Sequence, residues 1–230
     1  MKKIFTIGFS LLSLILFSCK SNKVEDYNYE NDNYGAETVI EQPEITDDFI
    51  GDFGIIQLDD MMFLEKSKGT VKPKEMKSIY LVPRTNSVEF HFRDNINYVC
   101  FILNKAERDK IFEACETFLK QYEERTVPHH KVNSKTAYVN SKCSVWFGLL
   151  TPTTGCEEND YYVNCEFINK QPYLLLHFLP SRCKDVKDTF TPKISLYMSP
   201  SQIREFMTLL NQDVLNEKIK GLKEKAYTYE

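Results

Sequence analysis

The run Tyr98-Val99-Cys100-Phe101-Ile102-Leu103-Asn104-Lys105-Ala106-Glu107 carries an apolar strand straight into the start of a helix. Asn104 is a good N-cap, because its side chain can accept from a helix amide, and Glu107 three residues on can reach back to the cap. Ile111, Cys115, Phe118 and Tyr122, with Phe112 and Leu119 alongside, then fall at helical spacing on one broad apolar stripe. The same grammar returns at Ile194-Ser195-Leu196-Tyr197-Met198-Ser199-Pro200-Ser201-Gln202. Here Ser199 caps, Pro200 takes the first helical position and Gln202 closes the box. The second stripe is Ile203, Phe206, Met207, Leu210, Val214 and Leu215.

Working outward, an offset of 95 places Val99, Phe101, Leu103, Ile111, Phe112, Cys115 and Leu119 on Ile194, Leu196, Met198, Phe206, Met207, Leu210 and Val214. Upstream, Glu89-Phe90-His91-Phe92 matches Leu175-Leu176-His177-Phe178 at an offset of 86, and the charged loop Pro180–Thr191 absorbs the difference. Strands are expected near 54–65, 76–83, 87–93 and 97–103, then near 136–148, 160–168, 172–179 and 193–198. Turn chemistry at Pro83-Arg84-Thr85-Asn86, Arg93-Asp94-Asn95 and Thr151-Pro152-Thr153-Thr154-Gly155 separates several of them. The expected class is α+β: a four-strand meander plus a helix, twice, giving antiparallel sheets with two packed helices. The halves are placed at 53–126 and 136–225, with a linker at 127–135 and a tail at 226–230.

That order of elements resembles the doubled four-strand-plus-helix units of the PUR-repeat and Whirly single-strand nucleic-acid binders. The resemblance is architectural and brings no binding residues with it. Basic side chains interleaved with aromatics, which a strand-binding groove needs, are not seen, so nucleic acid is not an expected partner.

The chain opens Met1-Lys2-Lys3 and runs apolar from Ile4 to Phe17, fourteen residues against the roughly 20 of a bilayer-spanning helix. Leu16-Phe17-Ser18-Cys19 then ends that run. It resembles the lipobox of bacterial lipoproteins, with Leu at −3, a small residue at −1 and Cys at +1, although Phe17 is bulkier than the consensus at −2. The resemblance implies a signal peptide at 1–18, removal before Cys19, and diacylglycerol on the Cys19 thiol, usually with a further acyl chain on the new amine. Two or more chains anchor stably where one binds only marginally. Lys20 is not the aspartate that retains some enteric lipoproteins at the inner membrane, so the outer membrane is the expected side.

Between Val24 and Asp52 lie ten acids and no Lys or Arg. Low hydrophobicity with one sign of charge marks a segment that cannot repay its ordering entropy, so residues 19–52 are expected to be a disordered tether. The charge of the whole chain is −4; residues 1–52, with four lysines against ten acids, hold −6 of it and leave +2 for 53–230. A near-neutral domain has no strong non-specific attraction to polyanions.

Without Cys19 the cysteines number six: Cys100, Cys115, Cys143, Cys156, Cys165 and Cys183. An even number in an exported protein suggests disulfides. A hairpin about Thr151–Asn159 would set Cys143 nearly opposite Cys165, and Cys156 and Cys183 would then pair at one edge. Cys100 in a strand and Cys115 on a helix stripe are expected as small buried hydrophobes. His91 and His177, inside apolar strands, are expected to be structural. His129-His130 is the one adjacent histidine pair, but neighbours on an extended chain point opposite ways and make a poor clamp. Glu157-Glu158-Asn159-Asp160 lacks the ligand spacing of a calcium loop.

Nucleophile elbow, zinc-protease helix, P-loop and dinucleotide fingerprint are all lacking. No catalytic residue, metal or cofactor is therefore expected. The expectation is an envelope lipoprotein acting as a non-catalytic binding module, with the membrane and an envelope protein or ligand as partners. A hydrolase built from carboxylates or histidines on distant strands is the alternative, and a single-strand binder by analogy of fold the third reading.

Overall fold

A computed structural model describes residues 54–184 and 186–227. Cys19, the signal peptide and the acidic tether lie outside those residues. Thirteen elements follow in order: β1 Ile56–Gln57, β2 Met62–Ser67, β3 Thr70–Glu75, β4 Ser78–Val82, β5 Ser87–Asp94, β6 Asn97–Asn104, α1 Lys105–Glu123, β7 Val139–Gly148, β8 Thr154–Ile168, β9 Gln171–Phe178, β10 Ile194–Met198, α2 Pro200–Leu209 and α3 Gln212–Tyr227. All ten strands join one antiparallel sheet in the order β1-β4-β5-β6-β7-β8-β9-β10-β2-β3. The class is thus α+β, and β6 pairing with β7, Phe101 opposite Val145, makes a single sheet across the linker.

The order forces the sheet to curl. β1 is one edge and β2 lies beside the other, yet only residues 58–61 connect them. Five peptide steps reach at most roughly 18 Å, far less than the width of a flat ten-stranded sheet at about 4.8 Å per strand. Contacts across the gap agree. Lys74 on β3 meets Asp94 on β5 at 2.7 Å. Phe63 of β2 lies edge-on to Phe90 of β5, with centroids 6.0 Å apart.

Inside the curl sits the main core. Phe90 stacks on Phe101 with centroids 4.6 Å apart, and Phe206 of α2 meets Phe63 and Phe90 at 6.1 Å. Ile111, Ala114, Cys115 and Phe118 bring the stripe of α1 into the same cluster. Asn104 accepts from the Glu107 amide at 2.9 Å, but the Glu107 carboxylate turns to Lys110 and Tyr161 and does not reach back to the cap, whereas Ser199 and Gln202 close a full capping box.

Several expectations are corrected. The first strand breaks at 58–61 into β1 and β2, because Leu58 and Met61 turn inward to the core. The hairpin partner β3 was not foreseen, its sequence Thr70-Val71-Lys72-Pro73-Lys74-Glu75 being polar and interrupted by proline. Pro73 is tolerated because β3 is an edge strand, where a missing N–H breaks no ladder. Lys68 and Gly69, both with positive φ, make its tight turn. The second helix is two: Asn211 accepts from the Asp213 amide at 2.9 Å and starts α3 afresh, so the described residues hold three helices rather than two. Six strands precede α1 and four follow before α2, so the two halves are unequal in strand count.

The cysteine pairings are corrected too. The β7–β8 turn falls at 149–153, which sets Cys143 opposite Asn159 and Cys165 opposite Leu174 of β9. Cys143 and Cys165 therefore do not face each other. No disulfide occurs among the described residues, and Cys156 and Cys183 are not bridged.

Candidate functional site

Alternation along β5 sends Phe90 and Phe92 into the core and Glu89 and His91 to the opposite face of the sheet. The two-residue turn Asn95-Ile96 fixes the register, so that His91 stands directly opposite Cys100 on β6. Three unlike side chains converge there. Glu89 Oε2 lies 3.0 Å from His91 Nε2, Cys100 Sγ lies 3.4 Å from the same nitrogen, and all three donor atoms fall within 4.8 Å of one another. The Tyr80 ring stands edge-on to the imidazole at 5.4 Å. Burial, reinforced by the charge of Glu89, pushes the Cys100 thiol well above its ordinary range.

That arrangement is not a nucleophile relay. A histidine that activates a thiol takes its proton on one ring nitrogen and is oriented through the other. Here thiol and carboxylate crowd a single nitrogen, and the thiol is held protonated. Three donors meeting at one point is instead the arrangement a cation takes. Glu89 also lines an open groove of about 510 Å³ together with Val82, Ser87, Ile102, Asn104 and Lys142.

On the same face of the sheet, His177 pairs with Ser195 across β9 and β10, its Nδ1 2.8 Å from the Ser195 hydroxyl. Its surroundings are apolar. Tyr162, Ile168, Leu175 and Tyr197 form a second cluster, against which Val132 and Ala137 of the inter-helix segment pack. Burial, then the nearby Lys193, lowers the His177 imidazole to about 4. This is a structural histidine, neutral in the fold.

The other expected positions are dispersed. His129 stacks on Phe167 with ring centroids 3.6 Å apart, at a surface pocket of about 480 Å³ that Tyr122, Arg125 and Pro172 also line. His130 turns elsewhere and its Nδ1 is buried without a partner, so the two rings form no clamp. Cys115 is buried on α1 as its stripe position required.

A further surface feature escaped sequence reading. The β5–β6 and β7–β8 turns project from the same end of the sheet, because Tyr98 pairs with Gly148. They carry Ile96 at 72% exposure, Leu149 at 64% and Leu150 at 84%. Beside them Lys77 and Arg93 donate to the Tyr98 hydroxyl, at 2.8 and 3.0 Å, and lie over its ring.

The fold and these surfaces define an antiparallel α+β domain. Residues 55–217 match the model of a bacterial family described as "Uncharacterised Treponema protein", and the chain belongs to that family. No curated protein and no solved structure matches it.

Proposed function

We propose that this chain is a lipid-anchored protein of the bacterial envelope whose folded domain is a non-catalytic binding module. The observation that carries the binding role is the apolar end of the sheet. Ile96, Leu149 and Leu150 are large side chains left in water on adjacent turns, and clustered exposed apolar groups mark contact sites. With Lys77 and Arg93 at their border, the partner of best fit is an envelope protein with an apolar patch rimmed by acidic groups. Anchorage rests on Leu16-Phe17-Ser18-Cys19 and the apolar run before it, and the ten acids that follow suit a spacer between lipid and domain.

We read the two halves as a duplication. The cross-strand pair His91–Cys100 falls on His177–Ser195 at the two offsets that align the strands and helices, and each pair lies just before a capped helix.

A photo-crosslinking residue at position 150 in intact cells tests the binding role. A discrete adduct with one envelope protein is expected, lost in a chain that also carries Ile96→Ser and Leu149→Ser. Because those side chains are exposed, stability should stay within about 0.5 kcal/mol. No adduct from position 150, or transfer to lipid alone, would overturn the protein-partner reading.

A further inference from the structure

We propose that Glu89, His91 and Cys100 together bind one borderline-soft divalent cation of the Zn²⁺ class. The spacing of the donors is the first support. A tetrahedral zinc with Zn–S near 2.3 Å and Zn–N and Zn–O near 2.0 Å separates sulfur from nitrogen by about 3.6 Å and nitrogen from oxygen by about 3.3 Å. The observed separations, 3.4 Å for Cys100 to His91 and 3.0 Å for Glu89 to His91, need only a few tenths of an ångström of side-chain adjustment.

Rigidity is the second. All three residues sit on neighbouring strands within the sheet, at positions fixed by an eight-pair register, so the site is preorganised by backbone and not by a loop. The chemistry of the set is the third. Thiolate, imidazole and carboxylate together favour zinc or cobalt over magnesium or calcium, which take oxygen alone. A dication would also balance the two negative charges that a Cys100 thiolate and Glu89 place side by side.

Access is the fourth. The Cys100 end is buried, but Glu89 and His91 keep 23% and 27% of their side chains exposed, and the groove that Glu89 lines offers a way in. Three protein ligands leave a fourth position for water or a ligand atom, the open arrangement of a site that can bind further groups.

Cobalt titration of the full-length chain, in detergent and under reducing conditions, reads the site directly. One equivalent of Co²⁺ should give tetrahedral d–d bands and a thiolate-to-cobalt charge-transfer band, and Zn²⁺ should displace both. Cys100→Ser should abolish the charge-transfer band. His91→Gln and Glu89→Gln should weaken binding by roughly 100-fold or more, since even outer-shell partners of a metal cost 10–100-fold. Cys19→Ser and Cys165→Ser should leave the spectrum unchanged. If Cys100→Ser does not fold, Glu89→Gln, at a partly exposed position, decides alone. Absence of the bands, or their survival in both His91→Gln and Glu89→Gln, would overturn the assignment.

Discussion

Replacing Arg108 by alanine is expected to cost about 3 kcal/mol or more of stability, because it strips the donor from several acceptors at once and each one left unsatisfied in the interior costs about 1–3 kcal/mol. Arg108 is 1% exposed and is the largest fully buried side chain described. Its guanidinium donates to the Asn86 carbonyl at 2.7 Å, the Asn86 side-chain oxygen at 2.9 Å, Gln212 Oε1 at 2.8 Å and the Leu103 carbonyl at 3.3 Å. One side chain of α1 thereby joins the turn before β5, the end of β6 and the start of α3. None of those acceptors is a carboxylate. The charge is held by carbonyl and amide dipoles, and burial drops the guanidinium to about 10. Alanine would take these donors from the half-buried Asn86 oxygens, at a residue already in the left-handed region with φ 45°. Lysine keeps the charge but not the planar fork, so Arg108→Lys should lose about half as much. Urea unfolding with an unchanged slope measures both. A loss below about 0.5 kcal/mol in Arg108→Ala would refute this role.

The second large effect is on acid stability. His177 is 6% exposed, and its imidazole is lowered from 6.5 to about 4 by burial and then by Lys193, with Glu166 opposing. The unfolded chain therefore takes up a proton in a range where the folded chain does not. Above pH 6.5 the stability associated with the neutral ring is fully present. It is lost progressively as pH falls from 6.5 towards 4, and the two-and-a-half-unit gap corresponds to about 3 kcal/mol. His177→Gln can keep a hydrogen bond to Ser195 while removing the titration. Its stability should be lower than wild type at pH 7 but nearly flat between pH 6.5 and 4. A mutant as steep as the wild type over that window would show that other groups carry the acid response.

Much of this fold could be read from local signals. The capped helix starts at Asn104 and Ser199, and the strands leading into them, follow from side-chain chemistry within a few residues. Where pairing over distance decides, the sequence was silent. β3 lacks apolar alternation because as an edge strand it has little to bury, so its pattern does not announce it. Cys143 and Cys165 look opposed only if the turn is centred four residues beyond its actual place, and a shift in register relocates every partner on a strand. His91 and Cys100 were each read singly, as structural histidine and buried thiol. The turn expected at Arg93-Asp94-Asn95 falls at Asn95-Ile96, and only that register sets them face to face. Arg108 sits one turn before Ile111 and Phe112, in line with the apolar stripe, and that position was the signal of its burial.

That the domain is held on a membrane by lipid at Cys19 is tested most directly by the intact mass of the protein purified from envelopes. The expected species begins at Cys19, lacks residues 1–18, and carries the added mass of diacylglycerol, usually with one acyl chain more. An unmodified chain of 27.0 kDa, still beginning at Met1, would contradict it.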